Sequence, residues 1–560
     1  MPEVIAHLSP LVVSPLAVTA VAPLPALALF LCSALTLYRG YGRADRVIAL
    51  LLFFAAFAAL LPNLNHAAEL RTSPDSVEYA LGAKALVEGG SYSFLLGGQP
   101  QPPRYPIGFP LFVLAPAVIL LGTGSLAHGV WGVAAAAAFG VAATYLTGLR
   151  LMGRSGGCVA AALVLAIPGY VGGAQEILTT APAAGFVAAA IWLSLSGPEK
   201  SAPRWLGSGI SLMLATACRP LSAVFCLPLV VAWRAQRERS AWHLALLLMP
   251  TVAWVEAMGW YNAVVFGNPL RSGYHVWCPV PYDYPAILFG AGYIAENLSA
   301  LSHSMLAILL PLSIVGLISE GRRRGWRGGN ARVLLATLGA ALLVTIFHLL
   351  YFFAWDLYFV PCSVALAPLG AIGLLSVLQG AWPRAVRAAA ALALPAGLAW
   401  GGVIANRAEF REVAVFEHLS VLAGVVEELQ RSGSVRVITA RNPAHVEFFV
   451  GAPVLPISRR VEYASKLIAP VRVPARDLSG VGPTDHRAQL LKDGGAQEVY
   501  ATTALESLDA LGREVQEGTT VLVDTESLAP EEAGQLKARF SLEALATGVH
   551  KLSPLAAPPS

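Results

Sequence analysis

Apolar runs of helical length recur from residue 11 to residue 405 of this 560-residue chain, and they leave few folds open. The blocks fall at 11–37, 46–62, 126–149, 156–172, 180–196, 205–217, 219–233, 241–265, 303–319, 332–353, 357–378 and 387–405. A helix needs roughly 20 apolar residues to cross a bilayer, so the pattern predicts about twelve spans. Composition agrees. The chain is 56% hydrophobic and 13% charged, where a soluble domain carries about 25% charge. The net charge of +4 is modest, and no nucleic-acid signature accompanies it. The blocks 205–217 and 219–233 read either as one long span or as a hairpin, and their basic flanks favour a hairpin around Arg219-Pro220. Cys32, Cys158, Cys218, Cys226, Cys278 and Cys362 show no metal-ligand spacing, so neither a disulfide framework nor a metal cluster is expected. The first ten residues hold no Lys or Arg. Without that basic stretch residues 11–37 read as a retained span rather than a cleaved signal peptide.

Orientation follows from the basic residues. Among the basic residues of the membrane region, Arg39, Arg43, Arg46, Arg150, Arg154 and the run Arg322-Arg323-Arg324 belong to the 17 on one side, against 5 on the other, which marks the first side as cytoplasmic. Loops 63–125, 173–179 and 266–302 then face outward. The apolar stretch 107–121 breaks the charge rule if counted as a span, so it is expected to lie at, or dip into, the outer face. Past residue 405 the composition changes. Runs Val435–Thr439, Val499–Thr502 and Thr520–Val523 suit strands, and segments 413–430, 484–493 and 530–540 suit helices. The expected fold class is a polytopic α-helical membrane protein, residues 1–405, with a small C-terminal α/β extracytoplasmic domain, residues 406–560.

The polar loop 63–106 carries Ser73-Pro74-Asp75-Ser76-Val77-Glu78-Tyr79 and returns to the bilayer through Pro102-Pro103-Arg104-Tyr105-Pro106. No ATP is found outside the cytoplasm, and the chain has no P-loop or dinucleotide fingerprint. An enzyme acting there needs a substrate already activated and delivered in the membrane. A polyprenyl-phosphate sugar meets both demands, with the phosphate as leaving group. The acceptor hydroxyl is a weak nucleophile and needs a base, and cations must hold the phosphate as its charge develops. Asp75 fits the base; helix N-cap is its competing role. Arg104 and Lys84 are candidate phosphate ligands, against a snorkelling interfacial Arg and a solvated Lys. Tyr79, Tyr92 and Tyr105 suit sugar binding or an ordinary interfacial belt. Glu176, His275 and Asp356 face the same compartment as further binding candidates or solvated groups. Glu256 falls inside an apolar span, where a carboxylate is costly and is either functional or bonded to a neighbouring helix.

These motifs, in this order, resemble the GT-C glycosyltransferases, close to the bacterial members of the protein O-mannosyltransferase and aminoarabinose-transferase superfamily. The resemblance runs over residues 46–405. It rests on Asp75, Val77-Glu78-Tyr79-Ala80, Glu88-Gly89-Gly90, the Pro-rich return, Leu149-Arg150-Leu151-Met152-Gly153-Arg154, Ala217-Cys218-Arg219-Pro220, and Tyr261-Asn262 with Phe266-Gly267-Asn268-Pro269. The chain departs from the family at two places. Leu178-Thr179-Thr180-Ala181-Pro182 lacks the acidic residue common before that proline, and Leu357 stands where many relatives have an Arg. The resemblance implies an inner-membrane enzyme of a bacterium passing a sugar from a polyprenyl-phosphate donor to a glycolipid, polysaccharide or protein acceptor. It implies no cofactor, although a divalent cation is compatible with the wider fold. A transporter and a non-catalytic scaffold are the rival readings. A transporter calls for paired repeats and buried charges, of which Glu256 and the break at Arg219-Pro220 are the only signs.

Overall fold

The computed structural model describes residues 11–61, 74–96, 99–195, 201–236, 240–277, 282, 288–326, 328–379, 415–439, 446–447, 450–456, 460–465, 468–474, 496–502, 515–528 and 530–554. The chain is polytopic and helical, with a smaller sheet-containing part after residue 415. Five helices are long and apolar enough to cross a membrane: Pro15–Gly40, Leu126–Met152, Ala241–Phe266, Gly329–Leu350 and Asp356–Leu378. Two more expected spans are bent. Block 156–172 splits into Arg154–Leu165 and Pro168–Gln175, at 66° to one another. Block 303–319 becomes Leu306–Arg324, set at 79° to a preceding helix, Ala291–His303. Other blocks form shorter helices, among them Thr180–Leu195, Ala202–Cys218 and Cys226–Arg234. The block at 387–405 lies outside the described residues.

Thr180–Leu195 is the axis of the bundle. Every residue from Thr180 to Ser194 is buried, and it packs on Leu126–Met152, Ala202–Cys218 and Val360–Gln379. Small side chains make these close approaches feasible, because lipid tails give apolar helices no reason to associate except good packing. The tightest crossing joins Leu306–Arg324 to Val360–Gln379. A Cβ at Gly316 would lie 2.1 Å from the Leu369 carbonyl oxygen, and one at Gly373 would lie 1.9 Å from that of Leu312. At one end of the bundle, Glu320 is buried between Arg323 at 2.7 Å and Arg324 at 3.2 Å, and Arg154 pairs with Asp45 at 2.7 Å. The opposite end carries the helix Pro74–Gly89, and the stretch 107–121 also gathers there: its helix is short, Pro110–Leu121, with a widened π turn over Pro110–Leu114. Glu256 does not point into the bundle; it is exposed on the outward face of Ala241–Phe266.

The C-terminal part holds a five-stranded sheet ordered Val454–Pro456, Val435–Thr439, Thr520–Asp524, Val549–Pro554, Phe540–Ala546. Its first three strands are parallel and its last two antiparallel. Helices Val415–Gln430 and Pro530–Arg539 accompany it. The expected strand at 499–502 exists, within Ala496–Thr502, but in a separate three-stranded antiparallel sheet with Arg460–Ser465 and Ile468–Pro474. The expected helix 484–493 and the boundary at residue 406 lie outside the described residues.

Candidate active site

Asp75 sits in the first turn of Pro74–Gly89. Pro74 suits a helix start, because its fixed φ is helical and the N–H it lacks has no partner there. Asp75 is thus inside the helix, one residue past its start, where a carboxylate is favoured by the exposed N–H groups. It is half-buried. Among the described residues, no hydrogen bond or ion pair engages its carboxylate. The next residues turn inward: Ser76, Val77, Glu78, Tyr79 and Ala80 are all buried.

One turn on from Asp75, Tyr79 begins an aromatic wall. Its ring packs on Tyr105 at 4.5 Å and meets Phe109 edge-on at 4.9 Å. Tyr105 meets Tyr274 edge-on at 5.6 Å, and Tyr274 stacks on Tyr282 at 5.2 Å. Tyr282 shares a hydrogen bond with the Tyr351 hydroxyl. Burial pushes the phenols of Tyr79, Tyr105 and Tyr274 well above the usual tyrosine range, and the Asp75 charge pushes each further. All three phenols therefore stay protonated as hydrogen-bond donors within electrostatic reach of Asp75.

Glu78 is the residue that sequence reasoning passed over. It is 3% exposed. Its carboxylate accepts the Arg104 backbone N–H at 2.5 Å and lies 3.5 Å from the guanidinium. Burial raises its pKa, while the Arg104 charge pulls the other way. Arg104 also covers the Tyr105 ring, 4.9 Å from its centroid. The Pro-rich return is thereby clamped to the helix that bears Asp75. From outside, Gly273 lets the helix Gly273–Trp277 ride directly on the return, since a Cβ there would lie 2.2 Å from the Pro103 carbonyl oxygen. The same short helix brings Tyr274 and His275. The His275 Nδ1 accepts the Ser272 N–H at 3.1 Å, and its ring lies 5.6 Å from Tyr282.

Arg219 approaches from the bundle side. It ends the helix Ala202–Cys218, its Nε donates to Thr179 Oγ1 at 3.2 Å, and its guanidinium covers Tyr358 at 4.9 Å. The helix it ends packs on the aromatic segment, since a Cβ at Gly108 would lie 2.6 Å from the carbonyl oxygen of Ala217, two residues before Arg219. The signal in the sequence is the Arg-Pro break between two apolar blocks, which the charge rule places on the outer side and which reads there as a hairpin, a motif of the resemblance and a transporter sign. The remaining expected residues stand apart from this centre. Lys84 is half-exposed and pairs with Glu88 at 3.9 Å. Glu176 is half-buried just past Pro168–Gln175. Asp356 opens a short 3₁₀ turn and accepts the Leu357 N–H at 2.8 Å. Among the described residues no three His, Cys, Asp or Glu side chains are placed to hold a metal ion.

No protein-family model matches this sequence, and no curated protein matches it. Solved structures do. ArnT from Cupriavidus metallidurans bound to undecaprenyl phosphate superposes with a TM-score of 0.56 at 13% identity, over 92% of this chain and 99% of that one. The apo state of the same protein gives 0.57 at 13% identity, over 91% and 97%. The archaeal oligosaccharyltransferase AglB from Archaeoglobus fulgidus gives 0.47 at 11% identity, over 92% and 75%, which is too distant to carry an argument. The chain thus has the GT-C membrane fold, shared with ArnT over nearly the full length of both.

Proposed function

We propose that this protein is a membrane glycosyltransferase that moves a sugar from a polyprenyl-phosphate donor to an acceptor hydroxyl. One observation carries the proposal: a half-buried carboxylate, Asp75, with no partner among the described residues, at the head of a buried helix and beside three protonated phenols, Tyr79, Tyr105 and Tyr274. The fold likeness to ArnT, solved with undecaprenyl phosphate bound, favours a lipid-phosphate donor. In the step proposed, Asp75 takes the proton of the acceptor O–H as that oxygen attacks the anomeric carbon. The bond from that carbon to the phosphate oxygen breaks, its electron pair stays on the phosphate, and the anomeric configuration inverts. The proton then passes from Asp75 to water. Arg104 supplies a cation on the loop side, with Lys84 further out. Tyr79, Tyr105 and His275 bind the sugar, with Glu176 and Asp356 as further binding candidates. The acceptor is a glycolipid, polysaccharide or protein. The reaction face is extracytoplasmic, on a bacterial inner membrane.

Consumption of polyprenyl-phosphate sugars by the purified protein in nanodiscs tests this reading. Wild type should turn over at least one donor, and Asp75→Asn should lose about 10²–10⁴-fold, the usual contribution of general-base catalysis. Undiminished turnover by Asp75→Asn would move the base elsewhere. Solute uptake by proteoliposomes, with no sugar transfer, would replace the enzyme by a transporter.

A further inference from the structure

The two cations assigned to the loop side each already have a carboxylate partner. Arg104 is paired with buried Glu78, and Lys84 with Glu88. Arg219 differs. Its contacts are the neutral Thr179 hydroxyl and the face of Tyr358, and among the described residues no carboxylate forms an ion pair with it. It is half-buried. A partly desolvated charge without a counter-charge is costly. The fold nevertheless holds this one in place, with a hydroxyl fixing Nε and an aromatic ring supporting the guanidinium plane. That leaves the Nη edge of the guanidinium to meet an anion. A guanidinium suits phosphate because its donors form a rigid fork. Among the described residues Asp75 and Arg219 form no ion pair with one another, so base and cation do not cancel.

We propose that Arg219 binds the phosphate of the lipid donor from the bundle side, an assignment that rests on the glycosyltransferase reading. Arg219 then meets the charge that develops on the phosphate as the sugar leaves.

Binding of undecaprenyl phosphate, which carries no sugar, to the full-length protein in nanodiscs isolates this contact from turnover. Arg219→Gln should weaken binding by about tenfold or more, the scale of losing one charge-assisted contact. Arg219→Lys should stay within a few-fold of wild type. Thr179→Ala, which removes the Nε partner and keeps the charge, should also bind within a few-fold. Asp75→Asn should bind as wild type does while its turnover is lost. Wild-type binding by Arg219→Gln would overturn the assignment. An equal loss in Thr179→Ala would overturn it too, because the effect would then be one of local structure. Retained binding with lost turnover in Arg219→Gln would show that Arg219 serves another part of the substrate and would likewise overturn it. Wild-type protein with no affinity for undecaprenyl phosphate would bring down the glycosyltransferase reading itself.

Discussion

Glu78 shows how one side chain ties the return loop to the helix that bears Asp75. Its pKa is raised chiefly by burial, so the folded protein holds this proton at a higher pH than the unfolded chain does. The stability this gives is fully present below the unfolded carboxylate value, about 4.3, and is lost as pH rises through the folded value. Glu78→Gln mimics the protonated form and does not titrate. The thermal midpoint of wild type minus that of Glu78→Gln should therefore fall as pH rises through that window, and a flat difference would refute the assignment. Glu78→Ala is harsher, because it leaves Arg104 without its counter-charge. The cost should be about 2–3 kcal/mol, below the about 3–5 kcal/mol of a fully buried pair, since the Arg104 side chain is 23% exposed. Asp75 is a candidate the sequence already offers, because an acid beside a span, in a polar loop, stands out. Glu78 is not, because nothing local distinguishes a solvated acid from a buried one; its role comes from Arg104, 26 residues away. Arg219 was hidden for the same reason, with its partners Thr179 and Tyr358 on other helices.

Helices were the most legible elements, and their interruptions the least. Hydropathy does not fall at Ile167, so 156–172 reads as one block, yet Pro168 opens a new helix there and turns the chain by 66°. The proline was in plain view, but a proline inside an apolar run marks either a kink or a fresh start, and packing decides between them. The crossing at Gly316 and Gly373 makes the point in energy. Either glycine replaced by alanine would drive a Cβ into a facing backbone carbonyl, and backbone cannot swing aside as a side chain can. Each of Gly316→Ala and Gly373→Ala should cost about 1–3 kcal/mol, in the range of overpacked cores, read as a lower thermal midpoint in detergent. The double variant should cost less than the two singles together, because one displacement of the helix pair relieves both clashes. Strict additivity would show that the two glycines serve separate contacts.

At the scale of the molecule, two interiors are built on different rules. The membrane bundle has a main core rich in small and aliphatic side chains running from Leu29 to Leu374, and a second cluster around Tyr92 and Tyr261. The C-terminal part has its own cores: Leu419, Leu422 and Val426 pack with Val437, Val454 and Leu522 on one face of the sheet, and Ile438, Val521 and Val523 pack with Leu536 and Phe540 on the other. Among the described residues, none of the bundle belongs to either. Alternation of strand and helix made this class readable, but the strand order was not, since Val437 pairs with Leu522 across more than 80 residues of chain. Such a register is chosen by which faces must be buried, and no local pattern reports it. A part with helices over both faces of a mixed sheet has what an independent domain requires. A fragment spanning residues 412–560 should therefore be soluble and unfold in one cooperative transition, followed by circular dichroism. The remaining bundle should still bind undecaprenyl phosphate, because Asp75, Arg104 and Arg219 all precede residue 405. If the fragment is unfolded alone, or if its removal abolishes lipid-phosphate binding, the two parts are one cooperative unit and the donor site depends on both.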